Sequence, residues 1–367
     1  MISAIEIDSF RGIKNFKLEN LFQINILTGG NNCGKTSILE VLASYGQPDD
    51  FRMWRSVIRR RVGRFSPYEG LTDYEGFSNL FDINEEKKYL GYKIQENEKW
   101  TKVSLFADTI EEEMTGRAYR NILNKYFGED QENEMFDSIY LLSGLDIEIV
   151  IDEKSVNQFR MYDAEEIVKL SPRKMDNSKH TKNVIYISPS YHTERYNYLQ
   201  NILDNPELYE EILDILREYD EGIISINYSN HSKTRRGVYQ ILSKSHQKAL
   251  PLNVYGDGMK KALSLISAAV MAQNGILLLD EFETAIHTSA MEQTFRWILE
   301  TCKKLNVQVF MTSHSKEAID KVLKCAPELM EDIAVYTMYK ENEEISVRRL
   351  GAKKAIEVQD EMGLELR

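Results

Sequence analysis

"ILTGGNNCGKTSILEVLASYG", residues 26–46, is the stretch from which the rest of the chain can be read. Gly29-Gly30-Asn31-Asn32-Cys33-Gly34-Lys35-Thr36 matches G-x-x-x-x-G-K-[ST] in full, with a strand-like run before it and an apolar helix-like run after it. A helix starting at such a turn leaves its first N–H groups unpaired, so the loop offers backbone donors to phosphate oxygens. The expected nucleotide-binding positions are Gly29, Asn31, Asn32, Gly34, Lys35, Thr36 and Ser37. Lys35 is expected to neutralise β- and γ-phosphate oxygens, and the Thr36 hydroxyl to ligate Mg²⁺.

Outward from the loop, "ISAIEIDSF" and "KNFKLEN" alternate apolar and polar residues as strands do. From residue 47 to about 182 the periodicity changes. A basic stretch is followed by hairpin-like "KKYLGYKIQ" and "WTKVSLFAD", an expected helix over residues 119–127 and the strand "DIEIVI". "NVIYIS" at 183–188 reads as a buried strand, and 196–219 as an amphipathic helix that Pro206 breaks or restarts. "GIISINYS" and "GVYQILS" flank the polar turn "NHSKTRR" as a hairpin. From residue 258 helix and strand alternate, which predicts a mostly parallel α/β sheet. The expected organisation is an N-terminal lobe over 1–46, an insertion of mixed structure over 47–182 for partner or nucleic-acid contact, and a C-terminal lobe over 183–367.

The second half of the chemistry lies in "ILLLDE", residues 276–281. Four apolar residues make a central strand, and two acids sit at its C-terminal end, where open α/β sheets bind ligands. Asp280 is expected to hold Mg²⁺ through its water shell, and Glu281 to accept a proton from the attacking water. "VQVFMTSHS" is a further apolar strand that brings His314 to the same edge, within reach of a γ-phosphate. "YGDGMKKALSL" places Gly256, Asp257 and Gly258 at a helix start, with Lys261 in the first turns. That is a second anion seat, and since one chain has no need of another γ-phosphate site, it reads as a seat offered to a second protomer.

Composition narrows the class. At 367 residues and 42% hydrophobic content the chain can bury a large core, and a net charge of -12 argues against coating nucleic acid by bulk electrostatics. Three scattered cysteines build neither a disulfide framework nor a zinc site. Glu6 and Asp8 stand where an export signal would be apolar, and the apolar run 262–279 is interrupted by Gln273-Asn274-Gly275, so the expected location is the cytoplasm.

Taken in order, "FRG" at 10–12, "GGNNCGKTSILE", "YGDGMKKAL", "ILLLDEFETAIH" and "FMTSHSKE" resemble the ABC-type ATPase heads, and more closely the OLD family. The resemblance implies an α/β P-loop NTPase of ABC-ATPase head type, with N-terminal antiparallel strands and a mixed α+β insertion. It further implies ATP and Mg²⁺ as cofactors, slow hydrolysis, and two heads that sandwich ATP head to tail. Gly256 and Gly258 of one chain would then face the nucleotide held by Lys35 of the other. Arg11 looks like the family's basic residue near the nucleotide, and Glu283 and His287 like its D-loop region. The transporter signature Leu-Ser-Gly-Gly-Gln is replaced by Tyr-Gly-Asp-Gly-Met, and no glutamine is assignable to the link between nucleotide and effector. The C-terminal "VRRLGAKKAIEVQDEMGLELR" is too short for the TOPRIM nuclease many OLD proteins carry. The implied partner is a separately encoded effector, such as a TOPRIM nuclease or a toxin, as in two-component phage-defence systems such as PARIS.

Other readings make distinct demands. GTP would call for a strand-end Asn-Lys-x-Asp, and Asn124-Lys125-Tyr126-Phe127 lacks the aspartate. Arg52, Arg55, Arg59, Arg60, Arg61 and Arg64, with Trp54 and Phe65 interleaved, could grip nucleic-acid phosphates, as a DNA-maintenance ATPase would require, or dock an acidic partner. Glu283 and His287 have i, i+4 spacing, but no second histidine accompanies them for a metal site. A scaffold that binds ATP without hydrolysing it would keep its function without Glu281.

Overall fold

The computed structural model describes residues 1–59, 72–116, 139–163, 168–170, 181–189, 199–230, 237–284, 288–341 and 344–361. The expected helix over 119–127, with the Asn124-Lys125 test for guanine, lies outside these residues, as do Arg60, Arg61, Arg64 and His287. The chain forms two compact units, one of residues 2–19 and 40–181, the other of residue 1, 20–39 and 182–367.

The first is an antiparallel unit. β1 (Ile2–Phe10) and β2 (Ile13–Glu19) join β4 (Lys88–Glu96), β5 (Lys99–Thr115), β6 (Ile139–Ile151), β7 (Lys154–Tyr162) and β8 (Val168–Leu170) in a seven-stranded sheet of order β2-β1-β4-β5-β6-β7-β8. In β1 the alternation is direct: Ile5 and Ile7 are buried while Glu6 and Asp8 are partly exposed. Asn97-Glu98 and Asp152-Glu153 both hold positive φ, the left-handed pair that lets a two-residue turn match the twist of β4–β5 and β6–β7. α2 (Phe51–Arg59) and α3 (Asp73–Ser78) bring Phe51 and Phe77 onto Phe159 of β7, ring centroids 4.9 to 5.7 Å apart. Thr72 and Glu75 close a capping box that fixes where α3 starts.

Sequence order groups β1 and β2 with the phosphate loop; in the structure they extend the sheet of the 40–181 segment. The cause is long-range pairing of β1 with β4, Ile5 opposite Ile94 and Ile7 opposite Tyr92. Such pairing leaves no local mark in the sequence.

The second is a parallel unit, with sheet order β16-β15-β3-β14-β13-β9. β3 (Ile24–Gly29), β14 (Gln308–Thr312), β13 (Ile276–Leu279), β9 (Val184–Ile187) and β15 (Ile333–Glu341) run parallel, and β16 (Glu344–Gly351) is an antiparallel edge. β3, β13 and β14 are buried along their whole length, as expected of strands covered on both faces. The expected helix over 196–219 appears as α4 (Leu199–Leu203) and α5 (Pro206–Arg217), with Asn205 capping and Pro206 at the first position of the new helix. A small sheet of β10 (Ile223–Asn230), β11 (Gly237–Ser243) and β12 (Leu250–Pro251) includes the expected hairpin. α6 (Asp257–Met271), α7 (Thr288–Lys304), α8 (Lys316–Cys325) and α9 (Ala352–Glu361) complete the unit. Among the described residues no helix is long and apolar enough to cross a membrane.

Candidate nucleotide site

β3 ends in Gly29, whose φ of 136° suits only glycine, and a Cβ there would lie 2.0 Å from the Met338 carbonyl oxygen of neighbouring β15. The chain then turns through exposed Gly30, Asn31 and Asn32, with Asn32 left-handed at φ 61° and Gly34 at φ 84°. α1 (Lys35–Tyr45) starts immediately after, its first intrahelical bond running from Ile38 N–H to the Gly34 carbonyl at 3.0 Å. The N–H groups of the loop are thereby gathered at a helix N-terminus, the arrangement that binds phosphate.

Lys35 is 5% exposed, and its Nζ donates to the carbonyls of Gly29 at 2.8 Å and Gly30 at 2.7 Å. Burial holds its pKa below the usual lysine range; Cys33, Asp280, Glu281 and Glu283 pull the other way. The ammonium is thus drawn into the loop by neutral carbonyls, close enough to three acids to feel their field.

At the end of β13, Asp280 accepts from three hydroxyls. Thr36 Oγ1 donates to Oδ1 at 3.2 Å, Thr312 Oγ1 donates to the same oxygen at 2.7 Å, and Tyr186 OH donates to Oδ2 at 2.9 Å. Thr312 Oγ1 in turn accepts from the Glu281 N–H at 2.8 Å, which fixes the turn where Glu281 takes φ 47°. Burial raises the Glu281 pKa above the usual carboxylate range, helped by Asp280 and Glu283 and opposed by His314 and Lys35. The structure therefore brings Lys35, Thr36, Asp280, Glu281 and His314 together. Glu283 clamps the arrangement, its Oε1 accepting from the His314 N–H at 2.8 Å. His314 is not the helix cap; Ser315 caps α8 by accepting from Ala318 N–H.

Tyr186 and Thr312 were missed in the sequence. Each reads as an ordinary strand residue, in "NVIYIS" and "VQVFMTS", and only the parallel register, Leu279 beside Ile187 and Met311, aligns the strand ends so that both hydroxyls reach Asp280.

The remaining expected residues make contacts of their own. Gly256 and Asp257 are exposed at the start of α6, where Asp257 pairs with Lys260 at 2.5 Å and Lys261 Nζ donates to the Thr284 carbonyl at 2.7 Å. In the antiparallel unit, the Arg11 guanidinium is engaged by Glu40, Nε to Oε2 at 2.9 Å, with Glu40 fully buried. Arg52 pairs with Asp50 at 2.7 Å and Arg55 with Asp73 at 2.7 Å, so these two arginines of the basic cluster already meet carboxylates of their own unit. The side chain of Arg59 is outside the described set.

A phosphate loop, a strand-end acid pair and a histidine on one edge of a parallel sheet define a P-loop NTPase of the ABC-ATPase head type. Comparison with known proteins gives the family: residues 24–320 match the model described as "AAA domain, putative AbiEii toxin, Type IV TA system", and the chain belongs to that family. It is an ATPase of the ABC/AAA type. It is similar to a Helicobacter pylori protein described as an ATP/GTP phosphatase, with 24% identity over 339 residues and 87% of each chain covered. It is also similar to an uncharacterised Methanocaldococcus jannaschii protein, 34% identical over 113 residues, covering 30% of this chain and 98% of the other. Among solved structures, an SMC head bound to the C-terminal winged-helix domain of ScpA superposes with a TM-score of 0.50 at 11% identity, covering 96% of this chain and 99% of that one.

Proposed function

We propose that the chain is an OLD-like, ATP-driven switch. Two copies close head to tail around ATP and so control a separately encoded effector, a nuclease such as TOPRIM or a toxin, in antiphage defence. The carrying observation is the convergence of Lys35, Thr36, Asp280 and Glu281 on one sheet edge, with a second helix N-terminus, Gly256-Asp257-Gly258, left open to solvent. The family description, which names a type IV toxin–antitoxin system, supports a role within a multi-gene system of that kind. The name of the Helicobacter pylori relative supports nucleotide hydrolysis.

Thr36 Oγ1 and the Asp280 carboxylate are hard oxygen donors 3.2 Å apart, and among the described residues no cluster of three His, Cys, Asp or Glu side chains could hold a metal alone. That donor set fits Mg²⁺, which binds through one or two protein oxygens plus water and substrate phosphates. Bound there, the ion would neutralise charge on the phosphates. Lys35 exchanges its two loop carbonyls for phosphate oxygens. Glu281 takes a proton from water as the water oxygen bonds the γ-phosphorus and the bond to the β,γ-bridging oxygen breaks; its raised pKa suits a base. His314 contacts the γ-phosphate. Gly256, Asp257, Gly258 and Lys261 seat the nucleotide of the second copy.

The test is sedimentation of the Glu281→Gln variant. ATP is expected to double its mass while ADP does not, and a monomer under saturating ATP would sink the closure. For the defence part, cells carrying the gene with its neighbouring reading frame should plaque phage poorly. Equal plaquing with wild type and Lys35→Ala would remove it.

A further inference from the structure

A cavity of about 560 Å³ opens beside the phosphate loop on the side away from the acids. It begins at Gly30, Asn31 and Cys33 and continues along the β15–β16 hairpin to Tyr339, Lys340 and Arg348. Its size falls within the range of small-molecule sites.

Sheet order gives this cavity a direction. β14 and β13, which carry Thr312, His314, Asp280 and Glu281, lie on one side of β3; β15 and β16 lie on the other. The hydrolysed end of a nucleotide must face the acids, so the rest of the molecule extends from the loop toward β15. Gly29 makes that path close, because its lack of a side chain lets the Met338 backbone press against the end of β3.

The hairpin register then selects the residues that meet it. Thr337 is directly opposite Arg348, and Tyr339, two residues on, shares their face. Tyr339 is 39% exposed and Arg348 is exposed, an aromatic ring and a guanidinium side by side on an open wall. Neighbouring Arg349 has the opposite fate: its guanidinium stacks over the Phe22 ring at 4.6 Å. Two adjacent arginines are thus separated by strand alternation into one that packs and one that faces the cavity.

We infer that this cavity is the seat of the purine nucleoside of the nucleotide held by the loop, with Tyr339 stacking on the base and Arg348 covering its outer face or reaching the ribose. The inference rests on the loop binding the phosphates, as proposed above. Stacking and cationic contacts of this kind bind a base by its faces.

Steady-state hydrolysis by the full chain tests it, with inorganic tripolyphosphate as an inhibitor that carries the phosphates without the nucleoside. Tyr339→Ala and Arg348→Ala are each expected to raise the KM for ATP about tenfold, the effect of losing one stacking contact. The kcat and the inhibition constant of tripolyphosphate should stay at their wild-type values. ATP KM at the wild-type value in both variants overturns the inference, as does an equal rise in KM and in the tripolyphosphate constant. Both side chains are exposed, and an unchanged melting temperature verifies that the variants fold. Failure of the underlying reading looks different: Lys35→Ala would leave both constants unchanged.

Discussion

The two units treat buried charge in opposite ways. In the antiparallel unit a buried carboxylate has a cation from the same unit beside it: Glu40 meets Arg11, Asp73 meets Arg55 and Asp82 meets Lys14, at 2.7 to 2.9 Å. In the parallel unit Lys35 is buried on two neutral carbonyls, Asp280 is held by three neutral hydroxyls, and Glu281 is raised by burial, with its acidic neighbours adding to the shift. Removing a charge from water is costly, and a direct partner repays part of it. Where the chain supplies that partner, the charge serves the fold. Where it supplies only neutral groups, the charges are poised for a ligand bearing charges of its own.

The largest expected effect follows from removing the ligand-facing cation. Lys35→Ala should lower ATP turnover by roughly 10²–10³-fold, the cost of one lost electrostatic contact to developing charge, read as phosphate release. Turnover within about threefold of wild type would break the contrast at its centre, by a margin of well under 1.4 kcal/mol.

Glu281→Gln should reduce hydrolysis by about 10²-fold or more while leaving ATP bound. It should also raise the melting temperature at neutral pH. The folded-state pKa of Glu281 lies above the ordinary value of 4.5, so the folded protein favours its neutral form. The stability this contributes is present below the unfolded pKa and is lost as pH rises through the folded one, and a neutral glutamine avoids that loss. In wild type, turnover should climb with pH along the same titration, with a midpoint above 4.5. A Gln variant less stable than wild type at pH 7 would contradict the assignment.

In the antiparallel unit the expected loss is of stability. Glu40→Ala leaves the Arg11 guanidinium without its buried carboxylate and should cost about 3–5 kcal/mol in urea unfolding. A cost below about 1 kcal/mol would mean that the pair behaves as a surface one.

The smallest effect is expected at Thr312. Thr312→Val removes the hydroxyl that donates to Asp280 and accepts from the Glu281 N–H, and should cost about 1–2 kcal/mol of stability. If Thr312 also aligns the two acids, turnover falls while the KM for ATP stays unchanged. A variant with wild-type kcat would make Thr312 structural only.

Much of the parallel unit was legible because its signals are local. "GGNNCGKTS" couples a turn to a helix start, "ILLLDE" couples a buried strand to its polar end, and helix–strand alternation implies parallel pairing. Strand ends in a parallel sheet share one edge, so the motifs could be assigned to one place without knowing the strand order. The antiparallel unit was less legible, since β1's pairing with β4 joins segments about 90 residues apart. The arginine cluster shows what composition omits: Arg52 and Arg55 are near Asp50 and Asp73 in space, and a count of basic residues does not register that.

The fold class, the phosphate loop and the identity of the acids could be read from the residues alone, because each rests on residue types at fixed short spacing. Folding in three dimensions was needed to show which neutral hydroxyls hold Asp280, that Glu283 clamps His314, and that Arg348 rather than Arg349 faces the cavity beside the loop. Those outcomes depend on strand order and register, which are set by burial of whole faces across distant segments and not by any stretch of sequence read alone.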